Sequence, residues 1–416
     1  MQILENNKPM IRLINLLIII LVFTSFTTAK GCGDSTLTGN GEGLFASTII
    51  TGAEQTSEYL PLLRGKAVAV LTNQTGIIGT THIVDSLLSL GINIKKVMSP
   101  EHGFRGQAAA GQHISSGVDA RTGLPVVSLY GSHRKPTKAD LQDIDIVVFD
   151  IQDVGVRFYT YISTLHYLME ACAENGKMLL ILDRPNPNGF YVDGPVLETK
   201  YSSFVGMDPI PVVHGLTVGE YALMLNGEDW LKDGLQCNVK VIKVKNYSHS
   251  LHYKLPVAPS PNLSTMAAIY LYPSLCLFEG TVVSVGRGTS KPFEIYGHPG
   301  FTKYDTTFVP RPIAGKAPHP KLEGKTCKGF VLTEFGNSIM PVMGKLYLFW
   351  LRDAYFELGA EDDFFNPFFT KLAGTEQLRT DIERAKTVEE IRAGWQDGLN
   401  KFKKIRKKYL LYPDFE

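Results

Sequence analysis

Short apolar runs alternate with helical patterns between residues 66 and 245, and this alternation limits the chain to few folds. The runs at 67–71, 94–98, 126–130, 145–150, 178–183 and 239–244 are rich in β-branched residues and nearly continuous in hydrophobicity. Strands of this kind are covered on both faces, which is typical of a mostly parallel sheet. Helical patterns at 83–90, 161–175 and 218–226 lie among them. The pattern therefore predicts an α/β fold.

The pattern changes beyond residue 254, where Pro256, Pro259 and Pro261 interrupt it. Apolar stretches resume at 265–278 and 281–285, and a core-facing helical stripe is predicted over 388–399. A chain of 416 residues is long enough for two domains. We therefore predict a first domain over residues 52–255 and a smaller auxiliary α+β domain over residues 256–416.

The N-terminal residues have the features of an export signal. Lys8 and Arg12 precede an apolar run at 13–26, and small residues follow it. Cys32 follows Ala29-Lys30-Gly31, which is similar to a bacterial lipoprotein cleavage box except at Lys30. We expect residues 1–32 to be a signal peptide with a lipid anchor at Cys32, and residues 33–51 to be a flexible tether. The chain is thus predicted to be exported, either to the periplasm or to a bacterial membrane surface.

Charge and cysteine content argue against several classes of function. The formal net charge is +1, which gives no electrostatic reason to expect a nucleic-acid partner. A basic run at 401–408 is interleaved with apolar residues at helical spacing and is predicted to be a solvated helix face. The cysteines beyond Cys32 are far apart and form no CxxC pair, so neither a metal finger nor a catalytic thiol is predicted.

Polar side chains follow the predicted strands at the edge where a parallel sheet binds ligands. The segment at 99–106, Ser-Pro-Glu-His-Gly-Phe-Arg-Gly, places an acid, an imidazole and a guanidinium within five positions of a turn. The residues after the first five predicted strands that we expect to share one cleft are Asn73, Gln74, Glu101, His102, Arg105, Tyr130, His133, Asp150, Gln152, Asp153, Arg157, Tyr159, Asp183, Arg184, Asn186 and Asn188. Asp and Asn also terminate strands and cap helices, so Asp150, Asp183 and Asn188 could equally be structural.

The motifs of several common enzymes are absent from the sequence. Thr72-Asn73-Gln74-Thr75-Gly76 stands where a dinucleotide-binding fold would have GxGxxG, and there is no P-loop, GxSxG or HExxH. Carboxylates flanked by amide, guanidinium and aromatic groups remain, and these are typical of sites that hold and cleave sugars. Asn262, Glu279 and Arg287 could form an opposite wall, although Glu279 and Arg287 could also be an internal salt bridge.

Five segments together resemble one family of enzymes. They are the segment at 99–106, Asp-Ile-Gln-Asp-Val-Gly-Val-Arg-Phe-Tyr-Thr-Tyr at 150–161, Asp-Arg-Pro-Asn-Pro at 183–187, Pro-Ser-Pro-Asn-Leu at 259–263 and Ser-Val-Gly-Arg-Gly-Thr at 284–289. The chain from residue 63 to 412 resembles the bacterial exo-β-N-acetylmuramidases of the NamZ type. The resemblance implies a Rossmann-like fold with a cleft against an auxiliary domain. It also implies a glycosidase that removes N-acetylmuramic acid from the non-reducing end of peptidoglycan fragments.

The same resemblance implies roles for individual residues. Glu101 would be the leading catalytic acid, and His102 would orient or tune it. Arg105 or Arg157 could pair with the lactyl carboxylate of muramic acid. Asp150 and Asp153 are candidates for activating water or binding hydroxyl groups, and Tyr159 could contact the sugar. A substrate-assisted route through the 2-acetamido group also stays open.

Two other functions remain open from the sequence. The chain could be a non-catalytic lipoprotein that captures muramyl sugars in the same cleft. It could also be a metal-dependent hydrolase in which Glu101, His102, Asp150 and Asp153 ligate a cation. Our leading interpretation needs neither a cofactor nor a metal, and its partners are peptidoglycan-derived muramyl saccharides.

Overall fold

The computed structural model of the chain describes residues 48–101, 103–105 and 117–416, and a seven-stranded sheet lies at its centre. The strands of the first half are β1 (Val68–Thr72), β2 (Ile77–Ile78), β3 (Thr81–His82), β4 (Ile94–Ser99), β5 (Gly117–Val118), β6 (Pro125–Ser128), β7 (Ile146–Asp150), β8 (Met178–Leu182) and β9 (Asn238–Ile242). The sheet order is β5-β6-β4-β1-β7-β8-β9, and β2 and β3 form a separate hairpin. Every pairing in the large sheet is parallel except that of β5 with β6. The predicted α/β fold with a mostly parallel sheet is therefore confirmed.

Successive residues of the central strands pack into two different hydrophobic cores. In β1, Ala69 and Leu71 belong to the larger core, whereas Val68 and Val70 belong to the smaller one. This alternation follows from the two-residue period of a strand, and burying each large apolar side chain stabilises the fold by about 1.5–3 kcal/mol. Apolar residues are needed at consecutive positions because both faces of the sheet are covered.

Helices cover both faces of the sheet. In the first half they are α1 (Thr56–Leu63), α2 (Ile83–Ser89), α3 (Lys138–Leu141), α4 (Tyr161–Glu174) and α5 (Val218–Gly227). Thr217 begins α5 with a capping box, because its hydroxyl accepts from the Glu220 amide and the Glu220 carboxylate accepts from the Thr217 amide. The predicted helices at 83–90, 161–175 and 218–226 are each present within a residue or two.

The second half contains a small antiparallel sheet and a series of helices. Its strands are β10 (Ile295–His298), β11 (Thr306–Phe308) and β12 (Cys327–Val331), in the order β10-β12-β11. Its helices are α6 (Met266–Leu275), α7 (Thr333–Ser338), α8 (Met340–Met343), α9 (Phe349–Glu357), α10 (Phe368–Ala373), α11 (Gln377–Glu383), α12 (Val388–Gly394) and α13 (Gln396–Arg406). A 3₁₀ turn over Cys276–Gly280 continues α6.

The apolar stretch at 281–285 makes isolated bridges at Thr281 and Ser284. Two predictions for the second half are wrong in detail. The helix predicted over 388–399 is two helices, α12 and α13, which meet at Trp395. The basic face of α13 is not wholly solvated, because the guanidinium of Arg406 is buried against the Gly215 carbonyl and Asp414.

Residues 48–416 form one compact unit. Within it Ile50 pairs with Lys245 and Thr51 is buried, so the end of the predicted tether belongs to the folded body. The predicted signal peptide and Cys32 lie outside the described residues. Among the helices that the structure describes, none has both the length and the hydrophobicity needed to cross a bilayer.

Candidate active site

Glu101 lies in a tight turn directly after β4. The Gly103 amide donates to the Pro100 carbonyl at 3.2 Å, and Gly103 has a φ of +78°, which favours glycine. The Glu101 carboxylate accepts hydrogen bonds from the Tyr130 hydroxyl at 3.1 Å and from Thr160 Oγ1 at 3.4 Å. Tyr130 follows β6 and Thr160 precedes α4, so loops from three separate elements meet at this carboxylate.

Glu101 lines an open cavity whose space, including the solvent at its mouth, is about 670 Å³. Its other described lining residues are mostly aromatic or polar and come from both halves of the chain: Phe158, Tyr159, Thr160, Tyr161, Val205, Ser260, Asn262, Leu263, Tyr272, Cys276, Glu279, Arg287, Phe293, Phe368 and Leu372. The structure thus brings five of the predicted site residues to one cavity, namely Glu101, Tyr159, Asn262, Glu279 and Arg287.

The opposite wall carries an ion pair between Glu279 and Arg287. Arg287 donates from Nε to Glu279 Oε1 at 2.5 Å and from Nη2 to Oε2 at 3.2 Å. Their side chains are 24% and 25% exposed, so both groups remain accessible from the cavity. Burial alone would raise the pKa of Glu279, but the adjacent guanidinium lowers it below its ordinary value. Glu279 is therefore held as a carboxylate.

Aromatic side chains form the base of the cavity. Tyr159 makes edge-to-face contacts with Tyr161 and Tyr272, at ring-centroid distances of 4.9 and 5.9 Å, and Tyr272 contacts Phe293 at 5.0 Å. Burial raises the pKa of Tyr159 and of Tyr161, so both hydroxyl groups stay protonated and can donate. Phe293 has a φ of +59°, which is strained for a bulky residue and is typical of functional sites.

The structure does not bring the other predicted carboxylates to this cavity. Asp150 is buried and accepts two hydrogen bonds from Arg184, which is also buried. Asp153 lies within the core, where its Oδ2 accepts from the Gly155 amide at 2.6 Å, and burial raises its pKa to about 7. Neither residue is part of the described lining, so the geometry does not support catalytic roles for them.

The two arginines predicted to bind a carboxylate are both engaged elsewhere. Arg105 donates to both oxygens of Asp119 at 2.9 and 2.7 Å, and these bonds lower the pKa of Asp119 well below its ordinary value. Arg157 is buried and donates to four backbone carbonyls, those of Pro195, Ile210, Leu372 and Ala373, at 2.7–2.9 Å. It joins segments of the two halves of the chain instead of facing the cavity.

The remaining predicted residues brace the loops around the site. Asn73 accepts from the Thr75 amide at 2.9 Å, and Gln152 donates to the carbonyls of Asp153 and Pro185 at 2.8 Å. Asp183 accepts from Tyr412, Thr217 and the Gly219 amide, and burial raises its pKa to about 6. Asn186 donates to the Leu216 carbonyl at 2.9 Å. His102 lies outside the described residues.

Most of the aromatic lining and one of the two hydroxyl donors to Glu101, Thr160, were not predicted from the sequence. Tyr130 was predicted to share the cleft as a polar residue after the third strand, and its hydrogen bond to Glu101 agrees with that placement. Thr160 directly precedes a predicted helix and gives no separate signal. Tyr272 and Phe293 lie within apolar stretches and give no local signal. In the described residues no group of three His, Cys, Asp or Glu side chains is placed to hold a metal ion.

Comparison with known proteins assigns the chain to a family. Residues 68–267 match the family described as exo-β-N-acetylmuramidase NamZ, N-terminal, and residues 270–412 match its C-terminal counterpart. The chain belongs to the NamZ family. The two NamZ regions meet between residues 267 and 270, at the start of α6, whereas the boundary at 256 stays a prediction.

The chain is also similar to a named relative and to two solved structures. The chain is 39% identical over 377 residues to the peptidoglycan β-N-acetylmuramidase NamZ of Bacillus subtilis, covering 85% of this chain and 89% of the relative. It also resembles two crystal structures of DUF1343 family proteins from Bacteroides fragilis. One is 50% identical with a TM-score of 0.82 and covers 88% of this chain and 100% of that one. The other is 30% identical with a TM-score of 0.73 and covers 88% and 99%.

Proposed function

We propose that this NamZ-family protein is an exo-acting glycoside hydrolase that releases N-acetylmuramic acid from the non-reducing end of peptidoglycan fragments. The observation that carries the proposal is the position of Glu101. Its carboxylate lines a cavity together with aromatic and polar side chains from both halves of the chain, is oriented by Tyr130 and Thr160, and lies in the first of the five family segments. A relative with 39% identity is a peptidoglycan β-N-acetylmuramidase, which supports the same substrate class.

Glu101 is the proposed catalytic acid. Its carboxyl group transfers a proton to the bridging glycosidic oxygen, the bond from that oxygen to the anomeric carbon breaks, and the leaving sugar departs with its hydroxyl group. Water then supplies a hydroxyl group to the anomeric carbon, directly or after attack by the acetamido oxygen, and its remaining proton restores Glu101. Glu279 is held as a carboxylate by Arg287 and therefore suits binding or electrostatic stabilisation better than proton donation.

The test is product analysis with a β-1,4-linked N-acetylmuramic acid–N-acetylglucosamine disaccharide. The wild-type protein should release both monosaccharides, and Glu101→Gln should lose at least 1,000-fold in kcat, on the order expected for a catalytic acid. Affinity for the disaccharide should survive in this variant, because glutamine keeps the size and most hydrogen bonds of the side chain. Glu334→Gln, at an exposed glutamate outside the cavity, is the matched control.

The same experiment distinguishes the alternatives. A wild-type protein that binds the disaccharide tightly without cleaving it would be a muramyl-sugar-binding protein. Loss of activity in a chelator, restored by added cation, would favour a metal-dependent hydrolase. Against that mechanism, Asp150 is already neutralised by Arg184 and is not free to ligate a cation with Glu101.

We also propose that the protein is exported and anchored by a lipid at Cys32. The support is the sequence alone, in the basic residues, apolar run and small residues that precede Cys32. Metabolic labelling with a radioactive fatty acid should label the protein in a bacterial host, and Cys32→Ala should remove the label. An unlabelled wild-type protein in the soluble fraction would contradict the anchor.

A further inference from the structure

Arg287 is the cationic side chain among the described residues that line the cavity. The two arginines that sequence reasoning favoured for binding a carboxylate do not line it. Arg105 is paired with Asp119, and Arg157 donates to four backbone carbonyls in the core. Among the described lining residues, Arg287 is therefore the side chain that can pair with a carboxylate of a ligand in this cavity.

The guanidinium of Arg287 is fixed in one orientation. Glu279 occupies Nε and Nη2, and the Arg287 Cζ lies 4.9 Å from the centre of the Phe293 ring. In the described part of the chain no residue accepts a hydrogen bond from Nη1. The arginine is thus held by two neighbours and retains one donor edge, an arrangement that binds an anion with little loss of side-chain entropy.

The cluster around Arg287 carries a net positive charge. Lys321 donates to the carbonyls of Phe278 and Glu279 at 2.9 and 3.3 Å. Burial lowers the pKa of Lys321 to about 8, so its ammonium group is still mostly charged at pH 7. One carboxylate, Glu279, faces two cations, and an incoming anion is therefore attracted to this wall.

We propose that Arg287 binds the lactyl carboxylate of the muramyl sugar through its Nη1 edge and so makes the enzyme selective for muramyl over glucosaminyl residues. The inference rests on the proposed function, since it concerns the substrate of the same cavity. N-acetylmuramic acid differs from N-acetylglucosamine only by the 3-O-lactyl ether, whose carboxylate is the one charged group of the sugar. Glu279 acts as a positioning residue for Arg287.

The test compares two ligands that differ only in charge. Methyl β-N-acetylmuramide and its lactyl carboxamide are titrated calorimetrically into Glu101→Gln protein, which binds without cleaving. If Arg287 donates a charged hydrogen bond to the lactyl carboxylate, the muramide should bind roughly 10- to 100-fold more tightly than its carboxamide. In the double variant Glu101→Gln, Arg287→Met the two ligands should bind equally weakly. Arg287→Lys should retain part of the difference, because lysine keeps the charge and loses the fork.

Arg105→Met on the same background is the matched control and should leave the ratio of the two affinities unchanged. The inference is overturned if Arg287→Met weakens both ligands by the same factor, as a purely structural ion pair would. It is also overturned if Arg105→Met removes the discrimination. Circular dichroism and a thermal melt establish that each variant is folded. If Arg287→Met does not fold, the ratio of the two affinities in Arg287→Lys provides the test instead. A folded Glu101→Gln protein that binds neither ligand would instead contradict the proposed function.

Discussion

Arg184 donates to both oxygens of Asp150, from Nε at 2.6 Å and from Nη2 at 3.0 Å, and both side chains are buried. The pair joins the ends of β7 and β8, and Arg184 also donates to the Ile77 carbonyl at 2.9 Å. Two residues that the sequence suggests as site groups thus neutralise each other. Their role is to hold the loops that follow two neighbouring strands.

Asp150→Asn should lower the free energy of unfolding by roughly 3 kcal/mol, because it leaves Arg184 buried without its counter-charge. Urea denaturation measures this loss, and the double variant Asp150→Asn, Arg184→Met should recover part of it. The folded fraction of Asp150→Asn should keep kcat within about tenfold of wild type, because Asp150 does not act in the chemical step. Loss of a general acid or base would instead lower kcat by about 10²–10⁴-fold. A stable Asp150→Asn protein with a thousandfold loss of kcat would restore Asp150 as a catalytic residue.

The fold was predictable because each strand of the central sheet has apolar residues on both faces. The strands at 146–150 and 178–182 were located within a residue of their ends on that signal alone. The second half was harder, because Trp395 divides what reads as one helical stripe into α12 and α13. Its short elements pack by contacts between residues distant in sequence, and periodicity does not report those contacts.

Site residues could be predicted only where the neighbouring sequence shows that a polar side chain lies at the exposed end of a strand. Glu101 was identifiable because a strand end, a proline and a glycine leave its side chain on the rim of the sheet. Asp150 and Arg157 have the same polar character in sequence, but their partners are 34 and 215 positions away. Only the three-dimensional structure shows that these groups are neutralised or bonded in the core, whereas Glu279 and Arg287 remain accessible.

Stability should depend on pH through His166, which is buried between two carboxylates. Its Nδ1 lies 3.0 Å from Asp208 and its Nε2 lies 3.3 Å from Glu170. Burial alone would lower the pKa of His166, but the two carboxylates raise it to about 9 from an ordinary value of 6.5. The folded state therefore binds this proton more tightly than the unfolded state. Its stabilisation is complete below pH 6.5 and is lost as the pH rises through 9.

Between pH 6.5 and 8 the free energy of unfolding should fall by about 1–2 kcal/mol because of this group. Urea denaturation at the two pH values measures the change. In His166→Gln the protein should be less stable at pH 6.5, and this part of the pH dependence should disappear. An equally steep decline in the variant would assign the effect to another group.

Cys276 lines the cavity but should be chemically inert. Its thiol lies 3.6 Å from Glu279 Oε2, and burial together with that carboxylate raises its pKa well above the ordinary value. The thiolate is the reactive form, so iodoacetamide at pH 7.5 should leave both the thiol and the activity intact over an hour. Mass spectrometry of the peptide and a parallel activity assay measure this, with Cys276→Ser as a control that should retain activity. Rapid labelling that substrate prevents would contradict the prediction.

The carbonyl of Pro259 accepts hydrogen bonds from Tyr159 at 2.8 Å and from Gln74 at 3.2 Å, and the Tyr161 hydroxyl lies 3.5 Å from it. These donors attach the segment before Asn262 to the first half of the chain, so they determine the position of one cavity wall. Tyr159→Phe removes the shortest of the bonds and should lower the free energy of unfolding by about 1 kcal/mol.

The same variant should raise KM more than it lowers kcat, because the wall that carries Ser260 and Asn262 is loosened while Glu101 keeps its own donors. Steady-state kinetics on a chromogenic muramide separates the two constants. Tyr270→Phe is the matched control, since Tyr270 is also buried but has no hydroxyl hydrogen bond within the described residues and lies outside the cavity lining. A fall in kcat with KM unchanged would place the Tyr159 hydroxyl in the chemical step instead, in contact with the reacting sugar.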